Sequence, residues 1–273
     1  MLIAEQVKGK LYRLIMRMLG GKWSSGFVKR FCDSKSSRPL IPAFIKFYHI
    51  AEKEIQKPIS HYQSLSDFFT RKIDLDLRPI DHYSASVVSP VDGYVQTFGD
   101  LTEDQLFEVK GKWYSFEELT SLQIEGTKYG GGKFIILYLS PSQYHRFHSP
   151  LAGEGMQVAE LGRRSLPVNA SGWKYGGRLL SFNHRVVFRI RRRAESMMMI
   201  AVGALNVNSV IPSSLRPFWE KGDEVGYFSF GSTVVCLFEK GSVEWIDSLQ
   251  EETYVQVGER IAIMTTGERK KPI

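Results

Sequence analysis

Seven short apolar runs, spread over the C-terminal two thirds of the chain, constrain the fold more than any other feature of the sequence. Each run is rich in β-branched and aromatic residues, and glycine and proline punctuate the series, a pattern typical of β-strands. The runs cover residues 87–88, 93–95, 134–139, 186–188, 198–202, 233–238 and 261–263. We expect these strands to pair mostly antiparallel.

Apolar residues before position 87 have helical spacing instead. Predicted helices cover residues 1–19, 23–34, 41–56 and 64–71. Ser64 and Asp67 have the spacing of a capping box at the start of the last one. The fold class that we predict is α+β, with a helical N-terminal region followed by a mainly antiparallel β core that the strand at 233–238 completes.

The charge of the chain is concentrated at its N-terminus. The net charge is +7, and most of the excess lies in the first 32 residues. On a helical wheel of residues 1–19, a basic group lies beside an apolar sector; these residues are Lys10, Arg13 and Arg17, and Leu11, Leu14 and Met18 among others. Such a helix can lie in an anionic membrane interface, or it can pack on the protein's own core.

Features that the sequence lacks narrow the partners and the cellular compartment that we expect. No nucleic-acid-binding motif accompanies the basic residues, so we do not expect nucleic acid as a partner. No window holds 18 uninterrupted apolar residues, and no signal peptide is recognisable, so any membrane association would be peripheral. Cys32 and Cys236 are far apart and lie in no zinc-binding spacing, which favours a reducing compartment.

A nucleophile, a base and a carboxylate occur at the ends of predicted strands. Asp92 follows the run at 87–88, His145 and His148 follow the run at 134–139, and Ser232 precedes the run at 233–238. These residue types suit nucleophilic catalysis. The histidines could equally be structural residues of a loop. A metal site would need a third ligand at a recognisable spacing, and none is present, so we expect no metal.

Five segments, in order, give the sequence a family resemblance. They are FFTRKIDLDLRPI (68–80), VSPVDG (88–93), YLSPSQYHRFHSP (138–150), VGALNVNSV (202–210) and GYFSFGST (226–233). Together they resemble the phosphatidylserine decarboxylase proenzymes from about residue 60 to the C-terminus. One position differs, because Phe230 stands where many members have leucine. The difference precedes the reacting pair and should not prevent processing.

The resemblance implies that the chain cleaves itself between Gly231 and Ser232. His148 would be the base that activates Ser232, and Asp92 would orient His148 and stabilise its charge. The hydroxyl of Ser232 would attack the carbonyl of Gly231, where no Cβ stands in the way, and Ser232 would become a pyruvoyl group. Self-cleavage would give a β chain of residues 1–231 and an α chain of residues 232–273, which remain associated.

The implied reaction is the conversion of phosphatidylserine to phosphatidylethanolamine and CO2. The pyruvoyl group would form a Schiff base with the substrate amine, so no external cofactor would be needed. His145 would donate the proton that replaces CO2, because an imidazole titrates near neutral pH. The resemblance also suggests a homodimer, and it favours a membrane-binding role for the helix at 1–19.

The predicted organisation is a helical membrane-associating region at residues 1–60 and a catalytic β-rich domain at residues 61–273. We expect the protein at the cytoplasmic face of the cell membrane, bound to phosphatidylserine in anionic membranes. Three alternatives stay open at this point. The same three residues could serve a hydrolase acting on other molecules, the chain could bind anionic lipid without catalysis, or the substrate could be a different aminophospholipid.

Overall fold

A computed structural model describes residues 29–162, 166, 168, 170–204, 209–214, 216–229 and 231–265. The helix predicted over residues 1–19 lies outside the described residues, and so do its candidate membrane-binding side chains. Residues 29–33, which belong to the helix predicted over 23–34, are helical. Within the part of the chain that is described, no helix has the length and apolar character needed to cross a membrane.

The N-terminal helices form a small apolar cluster of their own. Helix α1 (Ile41–Tyr48) is shorter than the predicted 41–56. It ends because His49 takes a left-handed conformation, with a φ of 53°. Helix α2 (Leu65–Phe69) begins as predicted, since the side chain of Ser64 accepts a hydrogen bond from the Asp67 amide. The clustered side chains are Ile41, Ile45, Ile50, Tyr62 and Phe68.

The rest of the chain is mostly β-structure, as predicted. The described strands are β1 (Ser86–Val88), β2 (Gly93–Asp100), β3 (Leu106–Val109), β4 (Lys112–Ser115), β5 (Lys133–Leu139), β6 (Arg146–His148), β7 (Gly153–Leu161), β8 (Arg185–Arg192), β9 (Glu195–Gly203), β10 (Val210–Pro212), β11 (Phe218–Trp219), β12 (Glu224–Phe228), β13 (Ser232–Phe238), β14 (Val243–Trp245), β15 (Tyr254–Val255) and β16 (Arg260–Met264). Short helices α3 (Phe116–Thr120), α4 (Gln123–Gly126), α5 (Ala170–Tyr175) and α6 (Leu179–Phe182) lie between them. All seven predicted runs lie within strands, and the α+β prediction is confirmed.

The largest sheet is antiparallel and has the strand order β11-β7-β8-β9-β13-β5-β2-β15. Strand β13 therefore lies near its centre, paired along its whole length with β9 on one side and β5 on the other. Smaller sheets have the orders β1-β16-β14, β10-β12-β6 and β3-β4.

Both faces of β13 are buried. Val234 and Cys236 belong to the hydrophobic cluster on one face of the sheet, and Val235 and Leu237 to the cluster on the other. Such a strand has no solvated side, which explains why its sequence is continuously apolar. Burial raises the pKa of the Cys236 thiol, so this residue is a protonated core side chain.

Candidate active site

Backbone hydrogen bonds bring three of the quoted segments together. The amide of His148 donates to the carbonyl of Pro90 at 2.8 Å, which joins β6 to the turn that carries Asp92. Strand β6 also pairs with β12, and the amide of Phe228 donates to the carbonyl of His145 at 2.8 Å. Because β12 leads directly into β13, the chain just before Ser232 is held against the histidine segment.

Ser232 is the first residue of β13 and is fully buried. It lies between Leu139, the last residue of β5, and Gly203, the last residue of β9. Its hydroxyl has no hydrogen-bond partner among the described residues, and the hydroxyls of Thr233 and Ser209 share this property. A buried hydroxyl without a partner is costly and uncommon in a folded protein. Among the described residues, the start of β13 therefore offers these three hydroxyls no hydrogen-bond partner.

The two glycines next to Ser232 differ in how much space a side chain would have at their positions. A Cβ on Gly203 would collide with the hydroxyl of Ser209, which would have to rotate away. A Cβ on Gly231 would lie 3.8 Å from the Cβ of Ala204, an ordinary van der Waals contact. Among the described residues, packing therefore does not require glycine at position 231.

His148 is buried and hydrogen-bonded at both ring nitrogens. Nδ1 lies 2.8 Å from the carbonyl oxygen of Gly222, and Nε2 lies 3.2 Å from the hydroxyl oxygen of Tyr144. A carbonyl can only accept, so Nδ1 carries the proton and Nε2 keeps a lone pair. Burial lowers the pKa of His148, so the ring is neutral at pH 7. A neutral imidazole with its lone pair on Nε2, which here accepts from the Tyr144 hydroxyl, is the form that a general base needs.

Asp92 makes its hydrogen bonds away from the histidines. The Arg78 guanidinium donates to both carboxylate oxygens at 2.8–3.1 Å, and the Val257 amide donates at 2.9 Å. Arg78 also donates to Glu54 at 2.7 Å. Burial acts to lower the pKa of Arg78. The hydrogen bonds to Asp92 and Glu54, and the charges of these two groups, outweigh burial and raise that pKa. This group is a network in which the buried Arg78 guanidinium joins the buried Asp92 to the partly exposed Glu54.

Asp92 still acts on His148 through space, since its charge is one of the smaller factors that raise the pKa of that ring. In this structure, however, the acceptor at His148 Nδ1 is the Gly222 carbonyl rather than a carboxylate. The orienting role that the resemblance gives to Asp92 stays a prediction, because the observed contacts assign that position to the backbone.

His145 is completely buried. Its Nδ1 lies 2.9 Å from the Gln143 carbonyl oxygen, its Nε2 has no partner among the described residues, and its ring lies 4.1 Å from the ring of Phe69. Burial lowers the pKa of His145 to about 3. The ring is therefore neutral at pH 7, which differs from the near-neutral titration that we expected of it. Nε2 is the ring position left open to a reacting group.

A cavity of about 360 Å³ lies beside this site. Asp92, Arg78, Arg71 and Tyr144 are among the residues that line it, together with Glu54 from the helical region. The N-terminal helical segment and the β core thus share one cavity. Among the described residues, no group of three histidine, cysteine or acidic side chains is arranged to hold a metal ion.

Sequence reasoning named Asp92, His145, His148 and Ser232 but missed their partners. Arg78 and Tyr144 lie inside the quoted segments 68–80 and 138–150, so the segments pointed to these residues. Their hydrogen bonds to Asp92 and His148 could not be predicted from the sequence. The Gly222 carbonyl could not have been predicted as a partner of His148, because every residue type has a backbone carbonyl.

Comparison with known proteins gives consistent results. The family model described as "Phosphatidylserine decarboxylase" matches residues 65–263. The chain is 46% identical over 251 residues to a protein of Bacillus subtilis (strain 168) named "Phosphatidylserine decarboxylase proenzyme", covering 92% of this chain and 95% of that protein. It is 40% identical over 252 residues to proteins of the same name in Bacillus thuringiensis subsp. konkukian (strain 97-27) and Bacillus cereus (strain B4264), covering 92% of this chain and 96% of each.

Proposed function

Because the chain belongs to the phosphatidylserine decarboxylase family, we propose that it is a self-processing, pyruvoyl-dependent enzyme that converts phosphatidylserine to phosphatidylethanolamine and CO2. The observation that best supports the proposal is the state of Ser232. Its hydroxyl is buried at the start of the central strand, directly after Gly231, and has no partner among the described residues. A side chain that is costly to bury in this way suits a reacting group better than a structural one.

Self-cleavage begins when the Ser232 Oγ attacks the carbonyl carbon of Gly231 and its proton passes to His148 Nε2. The peptide C–N bond breaks, which leaves an ester between the two residues and a free amine on Ser232. Removal of the Ser232 Cα proton then expels the Gly231 carboxylate and leaves a dehydroalanine. Its imine tautomer reacts with water, releasing ammonia and leaving a pyruvoyl group on the α chain.

His148 meets the chemical requirements of the base, because it is neutral and its Nδ1 proton is fixed on the Gly222 carbonyl. Tyr144 occupies Nε2 in the uncut chain, so the Ser232 hydroxyl must replace it before attack. Fixed orientation of the base is the main contribution that this part of the fold makes.

The residues at the start of β13 fit a pyruvoyl group, since the position is buried and its hydroxyl bonds to no other described group. Pairing with Leu139 and Gly203 would hold the group in place. The pyruvoyl carbonyl would supply the electrophile for the substrate amine and the acceptor for the electrons left by CO2. His145 would hold the proton for the substrate carbon at Nε2, and an anion bound nearby would raise its pKa towards neutrality.

We further propose a peripheral location at the cytoplasmic face of the cell membrane. A phospholipid substrate requires contact with a bilayer, and the basic amphipathic pattern of residues 1–19 fits an anionic surface. The homodimer suggested by the resemblance is also part of this proposal.

Intact mass spectrometry of the denatured protein tests the processing step. We expect two chains from the natural sequence, with residues 232–273 about 17 Da lighter than a peptide that begins with serine. The Ser232→Ala variant should give one uncut chain. Release of CO2 from carboxyl-labelled phosphatidylserine, and its absence in the variant, would establish the reaction. An uncut natural chain that reacts with serine-directed phosphonates would favour the hydrolase, and an inert uncut chain would favour lipid binding alone.

A further inference from the structure

Arg71 is a buried cation that the proposed mechanism does not use. Its side chain is 3% exposed and lines the cavity beside Asp92. Its Nη2 donates to the carbonyls of Ser142 at 2.7 Å and Gln143 at 3.0 Å, whereas Nη1 has no partner among the described residues. A guanidinium donor buried without an acceptor is costly unless a ligand supplies one.

The two arginines of this cavity differ in how their charge is matched. Arg78 is paired with both Asp92 and Glu54. Within the described part of the chain, Arg71 has no carboxylate at ion-pair distance and is held by neutral carbonyls and the face of Phe68. Burial lowers the pKa of Arg71 to about 10, so it is still a cation at pH 7. The cavity therefore contains a positive charge with no direct counterion.

Arg71 is also connected to the proposed proton donor. The Gln143 carbonyl that accepts from Arg71 Nη2 lies 2.9 Å from His145 Nδ1. One carbonyl thus joins the unmatched cation to the ring whose Nε2 is open. An anionic group bound to Arg71 would lie close to the reacting part of the site, and it would cancel a charge that now helps to lower the pKa of His145.

We propose that Arg71 binds the phosphodiester of the serine phospholipid headgroup through Nη1. This inference rests on the proposed function, whose substrate carries two anionic groups. A guanidinium on the carboxylate would stabilise the ground state and lose its partner as CO2 departs, which slows the reaction. The phosphodiester keeps its charge throughout, and guanidinium is well suited to phosphate oxygens. Arg71 would then set headgroup specificity without touching the bonds that change.

The test compares the full-length, self-processed enzyme with Arg71→Gln, Arg71→Lys and the control Lys72→Gln, which removes an exposed charge from the next position. With phosphatidylserine in mixed micelles, Arg71→Gln should raise KM at least tenfold and change kcat less than threefold, while Arg71→Lys should be intermediate. Glycerophosphoethanolamine, which has the phosphodiester but no carboxylate, should lose inhibitory strength by the same factor as KM rises. Lys72→Gln should match the natural enzyme.

Two results would overturn the inference while leaving the proposed function intact. One is a raised KM with unchanged inhibition by glycerophosphoethanolamine, which would assign Arg71 to the carboxylate. The other is a lower kcat at constant KM, which would make Arg71 a positioning residue for His145. A natural enzyme that releases no CO2 would instead reject the proposed function.

A binding measurement covers variants that fail to process. Titration calorimetry of glycerophosphoethanolamine into the uncut Ser232→Ala chain requires neither cleavage nor catalysis. Adding Arg71→Lys to that chain should weaken binding at least fivefold. Equal binding by both chains would reject the proposal.

Discussion

The candidate site has two sides that differ in whether their polar side chains are paired. On the carboxylate side, formed by Asp92, Arg78 and Glu54, the ionic groups are paired with one another. On the hydroxyl side, formed by Ser209, Ser232 and Thr233, each hydroxyl is buried without a described partner. Under the proposed function, the paired side holds the structure together and the other side contains the reacting group. A satisfied network is rigid, whereas an unpaired group is available for chemistry.

The largest effect should follow from breaking the carboxylate side. Arg78→Met leaves two carboxylates facing each other, so we expect the free energy of unfolding to fall by about 3–5 kcal/mol. Urea denaturation in the uncut Ser232→Ala background measures this in a single chain. The control Arg191→Met removes an exposed pair with Glu154 and should cost less than about 1 kcal/mol. Equal losses in the two variants would contradict the contrast.

The buried histidines between the two sides should make stability depend on pH. The pKa of His145 is lowered to about 3, below its ordinary value of 6.5, so the unfolded chain binds the proton first. Stability is therefore fully present above pH 6.5 and declines as the pH falls towards 3. In the Ser232→Ala background, Tm should fall over this range less steeply for His145→Gln than for the parent. Parallel curves for the parent and the variant would refute the assignment.

On the hydroxyl side, removing a polar group should stabilise the protein. Thr233→Val deletes a buried hydroxyl that has no partner in the described part of the chain, and it keeps the shape of the side chain, so we expect a gain of about 1 kcal/mol in the free energy of unfolding. Urea denaturation of the uncut background gives the value. A loss of stability would mean that the hydroxyl has a partner after all, and the contrast between the two sides would fail.

The smallest effect on stability should come from Gly231→Ala. The nearest described atom to the added methyl group, beyond the adjacent residues, would be 3.8 Å away, so stability should change by less than about 0.5 kcal/mol. Self-cleavage should nevertheless slow, because the methyl group lies next to the attacked carbonyl. Gel analysis of the two chains over time measures the rate. Unslowed cleavage would show that glycine is not needed for attack.

The strands that could be predicted from the sequence are those that contain a short apolar run. The run at 233–238 is continuously apolar because β13 faces a hydrophobic cluster on each side. Strand β7 was missed because residues such as Glu154 and Gln157 leave it largely exposed and without a clear alternation. Helix α1 was predicted too long, since His49 gives no sign in the sequence of its left-handed conformation.

The sequence was enough to name candidate residues of the site, but it did not predict the contacts between them. Asp92, His148 and Ser232 are marked by their segments, whereas the choice of Arg78 as the partner of Asp92 depends on folding. The stretch around Arg78 offers several charges of both signs, and only the three-dimensional structure selects one. The boundary that we predict between residues 60 and 61 stays a prediction.

The central place of β13 has a consequence for when activity can arise. Its pairing with β5 and β9 positions Ser232, so the proposed cut can occur only after distant parts of the chain have assembled. Activation would therefore be a unimolecular event, independent of protein concentration and of any processing protease. Each molecule would acquire its prosthetic group only by completing its own fold, and unfinished chains would remain catalytically silent.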